Sequence, residues 1–435
     1  MNIVRYKDAD FEAKLDQMVS ASSLFDPVVE QRTRDILSAV RDLGDIAVCE
    51  FTRRFDRAEL KPSQFPVSSA ERMQASVSAD ESLRKAVESA SQNIAAFSEQ
   101  ALRKAWSSTN AHGGKVGEKF DPFGRVGIYV PGGTAPLVST ALMTITLAKV
   151  AGCREIVVCT PCGQGGEINP ALLFAVNYAG ATEIYRVGGA QAIAAMAMGT
   201  PTIGKVQKVF GPGNAYVVAA KRLLFGTVSV DLLPGPSELL VLADESAEPA
   251  FVAADLLAQA EHGSGHERVW LVSSSGKLLK AVNREIKKQI KKLDRADFIQ
   301  TALDKNGWLV EVESLDQGVA LANRIAPEHC EILTKQPRRV AEKLVTSGAL
   351  FLGNYSPTVL GDYVAGPSHT LPTGGAGLAF AGLTVDQFQR RTSVVEYNKT
   401  ALRRSLPVVE KFAEMEGLSA HGNSASIRLA ATKRS

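Results

Sequence analysis

GRVGIYVPGG (124–133), REIVVCTPCG (154–163), EIYRVGGAQAIAAMA (183–197) and KVFGPGNAYVVAAKR (208–222) repeat one physical pattern. A run rich in β-branched residues stops at a Gly/Pro turn, and an Ala-rich, helix-compatible segment follows. VSVDLLPGPSELLVLAD (228–244), RVWLVSSS (268–275), CEILT (330–334) and ALFLG (349–353) continue it. Short strands alternating with helices predict an α/β fold of parallel sheets covered by helices on both faces. Ligands in such folds sit beyond the carboxyl ends of the strands, where the Gly-rich turns are expected to fall.

Outward from this stretch the pattern changes. Residues 23–110 read as mainly helical, with Leu83, Val87, Ile94 and Phe97 at helical spacing. Beyond about residue 380, Thr384-x-x-Gln387 predicts a capping box opening a short helix. Leu406, Val409 and Phe412 mark a further helix that stops near Gly417. A tail of this length can hardly build its own core, so it is expected to dock on the body of its own chain or of a partner. No period of 20–50 residues and no low-complexity tract is present.

The 435 residues have room for two α/β domains. An apolar fraction of 45% and a charged fraction of 22% are those of an ordinary globular protein. The net charge of +3 is scattered, without the basic stripe of a nucleic-acid binder. Charges alternate along 283–295 as on a solvated face. MNIVRYKDADFEAKL lacks the apolar run of a signal peptide, and the apolar stretch at 137–151 is too short to span a bilayer. No membrane association is expected. Five cysteines, an odd number in so long a chain, imply no disulfide framework, and a cytoplasmic location is expected.

Four segments carry residues suited to chemistry. In LLAQAEHG (256–263), Gln259 and His262 are spaced to share one helix face, although the helix dipole alone would favour a His there. In PEHCEIL (327–333), Glu328 and His329 could be an acid/base pair or ordinary polar loop residues. The long loop 353–377 carries Asp362 and His369, and the segment 416–429 carries Glu416 and His421. No Cys-rich pattern links them, so what emerges is a possible mixed N/O site of the kind that suits catalytic zinc. Cys159-x-x-Cys162 lacks the second pair of a zinc site. Cys330 adjoins His329 but opens an apolar strand, so a buried, inert thiol is expected.

A dinucleotide site is less plainly marked. The nearest approach to G-x-G-x-x-G is GPGNAY (211–216), which lacks the third Gly. Gly clusters nevertheless follow strands at 127–133, 187–195 and 211–217, where a backbone can approach a ligand and a helix N-terminus favours phosphate. Tyr129, Gln191 and Asn214 are the polar side chains placed to contact it. Tight turns without a ligand are the alternative.

Together GIYVPGG, GGAQAIAA, FGPGNAYV, GPSELLVLAD, DLLAQAEHG, IAPEHCEI, GDY and HTLPTGG, in this order over about 120–380, resemble the histidinol dehydrogenase family. The resemblance implies two incomplete Rossmann-like parallel-sheet domains with small N- and C-terminal extensions. The expected division is 1–22, then 23–126 with 239–380, then an NAD-binding 127–238, and a helical tail, 381–435. It implies Zn2+ held by Gln259, His262, Asp362 and His421, and Glu328 and His329 as catalytic acid/base. It further implies Ser237 and Glu416 as substrate contacts together with His329 and the zinc ligands, and NAD contacts at Tyr129, Gln191 and Asn214. A homodimer is implied whose tail completes the neighbour's site. The chain departs from the family at Ser368, where many members have Asn before the His of H-x-LPT. Two alternatives stay open: a paralogue oxidising another polar alcohol such as a sulfonated diol, and an inactive zinc- or nucleotide-binding regulator.

Overall fold

The computed structural model describes residues 1–19, 26–132 and 136–430. The expected boundary at 22/23 and Gly133 of the first Gly-rich turn lie outside the described residues. The chain divides into two compact units, 1–101 with 124–387 and 102–123 with 388–435.

The first unit holds two parallel sheets. One runs Glu183–Tyr185, Glu155–Cys159, Arg125–Tyr129, Lys208–Phe210, Ser229–Val230. The other runs Asn2–Arg5, Gly307–Glu311, Arg268–Ser273, Glu238–Ala243, His329–Leu333, Ala349–Leu352. Numbered from the first strand of each run, both have the order 3-2-1-4-5, the doubly wound arrangement of nucleotide-binding folds, with Asn2–Arg5 added at one edge. The expected α/β fold of two Rossmann-like sheets is present.

The strands are apolar runs because helices cover both faces. Every residue of Glu238–Ala243 and Arg268–Ser273 is buried. Their alternate side chains enter two separate cores. Leu239, Val241, Val269 and Leu271 pack against the helices Pro249–Ala260 and Gly276–Gln289. Leu240, Leu242, Trp270 and Val272 pack against Phe11–Val19 and Leu315–Ile325. Beside the five-stranded sheet, the helices Gly189–Met198 and Ala215–Leu224 share a core with Pro27–Leu43 and Asp45–Asp56. The apolar stretch at 137–151 is the buried helix Val138–Ala151. Among the described residues no helix is long and apolar enough to cross a membrane.

The second unit joins an antiparallel sheet, ordered Gln389–Glu396, Lys115–Pro122, Trp106–Thr109, to the helices Lys399–Met415 and Ser419–Ala430. Two expectations are corrected here. The helical reading of 23–110 fails at its end, where Trp106–Thr109 is drawn into a strand by pairing with Lys115–Pro122. The capping box at Thr384 does not form. The Thr384 hydroxyl bonds Asp386 and the Gln387 amide donates to the Gly382 carbonyl, so a 3-10 turn, Val385–Phe388, leads into the strand Gln389–Glu396.

Candidate active site

The chemistry-bearing end of the six-stranded sheet is its amino end. Strands Glu238–Ala243 and His329–Leu333 are neighbours, with His329 opposite Leu239, so Ser237–Glu238 and Glu328–His329 enter the sheet side by side. The expectation of carboxyl ends fails for this sheet because the turn at 235–237 feeds the strand that follows it. The preceding strand, Ser229–Val230, belongs to the other sheet.

Backbone pairing fixes the two nominated acid/base residues. Glu328 Oε2 accepts the Glu238 N–H at 2.8 Å. His329 Nδ1 lies 3.0 Å from the Glu238 carbonyl, which can only accept, so the proton is on Nδ1. Nε2 is then the basic nitrogen, 3.8 Å from Asp362 Oδ1, and Glu328 Oε2 lies 3.5 Å from Nδ1. Burial pulls the His329 imidazole down, but Glu328 and Asp362 outweigh it and raise it to about 9. Burial raises Glu238 to about 7, against the Arg268 guanidinium bonded to it at 3.1 Å.

Asp362 comes from the short helix Thr358–Tyr363, and its carbonyl accepts from His369 Nδ1 at 3.0 Å. Nε2 of His369 lies 3.3 Å from the Thr140 hydroxyl. The departing residue Ser368 is accommodated, because its hydroxyl donates to the Met143 carbonyl at 3.3 Å.

Gln259 and His262 are close but do not share a helix face. The helix Pro249–Ala260 ends before His262, which lies in the following turn with Nδ1 3.0 Å from the Gln259 carbonyl. That contact leaves Nε2 as the nitrogen with which His262 could hold a metal. The Gln259 side chain is buried, and its amide Nε2 has no partner. A buried amide without a partner is what a cation would satisfy once the amide is turned oxygen-inward. These donors, with a carboxylate, fit zinc. Among the described residues no group of three His, Cys, Asp or Glu is close enough to hold a metal. Of the four nominated ligands, Gln259, His262 and Asp362 belong to the first unit. His421 is an exposed residue of the second, as is Glu416, just past the helix Lys399–Met415.

At the carboxyl ends of the five-stranded sheet lies a cavity of about 1000 Å³ whose wall includes Tyr129, Gln191, Asn214 and His262. The Tyr129 hydroxyl accepts the Gly189 N–H at 3.1 Å, and burial raises its pKa to about 12. Gly189 needs its positive φ of +66°, and a Cβ there would come within 2.7 Å of Gln191 Oε1. Gln191 is fully buried with neither amide atom partnered. Asn214 Oδ1 caps the helix Ala215–Leu224 through the Tyr216 and Val217 N–H groups, leaving its amide nitrogen for a ligand. A concave wall with an orphaned amide and close glycine backbone fits a dinucleotide. Sequence reasoning missed Arg32, Arg54 and Asp56, which also line this cavity. They come from helices outside the strand–turn pattern. The one available signal was an acid ending a helix, against the dipole. Burial raises the Cys330 thiol to about 12 and the Cys162 thiol to about 11, which disfavours the nucleophilic thiolate at both.

Two doubly wound sheets, a cavity large enough for a nucleotide and a buried carboxylate–imidazole pair are the features of an α/β enzyme equipped for proton transfer. The family profile described as "Histidinol dehydrogenase" matches residues 21–429. The histidinol dehydrogenase of Heliobacterium mobile is 44% identical over 414 residues, 95% of this chain and 97% of that one. That of Geobacter sulfurreducens is 40% identical over 430 residues, 99% of this chain and all of that one. The crystal structure of histidinol dehydrogenase from Elizabethkingia anophelis superposes with a TM-score of 0.94 at 34% identity, covering 100% of this chain and 99% of that chain. The chain belongs to the histidinol dehydrogenase family.

Proposed function

We propose that the chain oxidises L-histidinol through the aldehyde to L-histidine, using zinc and two NAD per turnover. The observation that carries this reading is the buried Glu328–His329 pair: two proton-handling groups, one suited to each half-reaction. Zinc, bound by Gln259, His262, Asp362 and His421, would supply Lewis-acid orientation of the substrate's amino group and imidazole without redox chemistry of its own. His329 Nε2, freed of its own proton as pH approaches about 9, would take the hydroxyl proton as the carbinol hydride passes to NAD, leaving the aldehyde. Glu328 would then take a proton from the water that hydrates the aldehyde, and the resulting gem-diol would lose its hydride to a second NAD and a hydroxyl proton to His329 Nε2, restored as base once its first proton has passed to solvent, giving the acid. Ser237 and Glu416 are assigned to the substrate, and Tyr129, Gln191 and Asn214 to NAD. A closed site serving both steps retains the reactive aldehyde.

The same reading includes a homodimer in which the tail of one subunit brings Glu416 and His421 to its partner's site. Exposed apolar side chains of the second unit support it: Phe412 is 58% exposed, Met415 70% and Val395 68%. Free cysteines support a reducing, cytoplasmic home. The division into 127–238 as the cofactor half and 23–126 with 239–380 as the other is part of the proposal. Nothing in the comparisons favours a sulfonated diol as substrate. The test is stoichiometry with the zinc-loaded protein and limiting histidinol. Two NADH per histidine support the reading, and one NADH with free aldehyde accumulating sinks it.

A further inference from the structure

In doubly wound dinucleotide folds an acid at the end of the second strand takes the ribose hydroxyls of the adenosine half. Here the second strand of the five-stranded sheet, Glu155–Cys159, continues into Thr160, Pro161 and Cys162, with no acid before Glu167. A carboxyl group reaches that place from elsewhere. Asp56, the last residue of the helix Asp45–Asp56, lines the cavity, and the Gly188 N–H lies against its carboxyl. A Cβ added to Gly188 would stand 2.6 Å from Pro161 and 3.3 Å from Asp56 Oδ2, so the acid sits beside the ends of the second and third strands.

We propose that Asp56 holds the adenosine ribose diol of NAD in this cavity and thereby sets the preference for NAD over NADP. This rests on the dinucleotide reading of the cavity given above. Three observations bear on it. Asp56 Oδ2 is buried without a hydrogen-bond partner, a costly state that two ribose O–H donors relieve. As the final residue of its helix, Asp56 faces the negative end of the dipole, so nothing in the helix itself favours an acid there. Gln191, fully buried on the same wall with both amide atoms unpartnered, points independently to an absent polar ligand. A 2′-phosphate would press its negative charge on the Asp56 carboxylate. Arg32 and Arg54 on the same wall could hold that phosphate once the carboxylate is neutralised.

Burial raises the Asp56 carboxyl to about 6. The ionised form is the diol acceptor, so NAD affinity should rise as pH increases through about 6. Other charged or titratable groups on or facing the wall are Arg32, Asp35, Arg54, Tyr129, Cys162, Tyr216 and His262. Comparison with Asp56→Asn isolates the Asp56 contribution from theirs.

The experiment is calorimetric titration of the zinc-loaded protein with NAD and with NADP from pH 5.5 to 8, for wild type, Asp56→Asn, Asp56→Glu and Gln191→Ala. Melting curves check folding, and Asn is well tolerated at a helix C-terminus. Asp56→Asn is expected to weaken NAD about tenfold or more at pH 8, to leave NADP unchanged or tighter, and to lose the pH step. Asp56→Glu should restore part of the preference. Unaltered NAD affinity in Asp56→Asn, or an equal loss for both dinucleotides, overturns the assignment. If Gln191→Ala weakens NAD in either case, the cofactor reading survives that failure. A wild-type protein that binds neither dinucleotide overturns both.

Discussion

Glu331 lies two residues beyond His329 on the same strand and is fully buried. Its Oε1 accepts the Thr358 N–H at 2.8 Å, the Thr358 hydroxyl lies against the same carboxyl, and its Oε2 is buried without a hydrogen bond. What faces it is the Asp255 carboxyl from the helix Pro249–Ala260. Two buried carboxyl groups in contact are satisfied only if they share a proton. Burial and the Asp255 charge hold Glu331 well above 4.5, and burial raises Asp255. The folded state therefore binds a proton more tightly than the unfolded chain. Its contribution is fully present below the unfolded pKa of about 4.5 and is lost as pH rises through the folded value. Each unit of upward shift amounts to about 1.4 kcal/mol. Glu331→Gln keeps the acceptor for Thr358 and gives Asp255 a permanent N–H donor. Its stability should match wild type near pH 4 and exceed it increasingly towards pH 8. Glu331→Ala strands both the Thr358 N–H and Asp255, at about 1–3 kcal/mol each, or roughly 2–6 kcal/mol together. Thermal melts at pH 4, 6 and 8 measure both differences. A Gln variant whose offset from wild type does not vary with pH would refute the shared proton. An Ala variant as stable as the Gln variant would refute the hydrogen-bond argument.

His262→Asn is expected to lower bound zinc and turnover together, whereas His329→Asn keeps zinc and loses turnover, because one removes a ligand and the other a base. Metal analysis of both purified proteins decides, and zinc loss in the His329 variant would show the roles reversed. If the tail crosses between subunits, the two inactive variants His329→Asn and His421→Asn, unfolded and refolded together, should recover roughly a quarter of wild-type activity, since about half the dimers are mixed and each carries one intact site. Activity remaining at the level of the separate variants would place His421 in its own chain's site.

The fold was legible where a strand is apolar throughout and closed by Gly or Pro. GIY at 127–129 and LLVLA at 239–243 could hardly be anything else. Asn2–Arg5 was not legible, because four residues have no periodicity and form a strand only against Gly307–Glu311. Gln389–Glu396 escaped for a related reason: its QRRTSVVE sequence is mostly exposed and is a strand only through its pairing with Lys115–Pro122. Of the candidate site, the sequence made the pair Glu328 and His329 legible, and its adjacency survives folding as a contact. Glu238 and Asp56 were not, since their importance lies in burial and in which carbonyl or N–H they meet. The helix-face argument for His262 failed because a turn returned its ring to the Gln259 carbonyl, a geometry that spacing alone does not encode.

The edge strand Asn2–Arg5 has a consequence for synthesis. The strands of the five-stranded sheet all lie within 125–230, so that sheet can assemble as the chain emerges. Asn2, by contrast, bonds the carbonyl of Gly307, 305 residues later. At ribosomal rates of about 5–20 residues per second, the first strand waits roughly 15–60 s for its partner. Until it docks, Gly307–Glu311 presents an open edge of backbone donors and acceptors, the template for unwanted pairing between chains. Asn2–Arg5 thus waits through most of the synthesis of the first unit for its place in that sheet. A truncation that removes it should leave the catalytic groups intact and show itself as aggregation during expression.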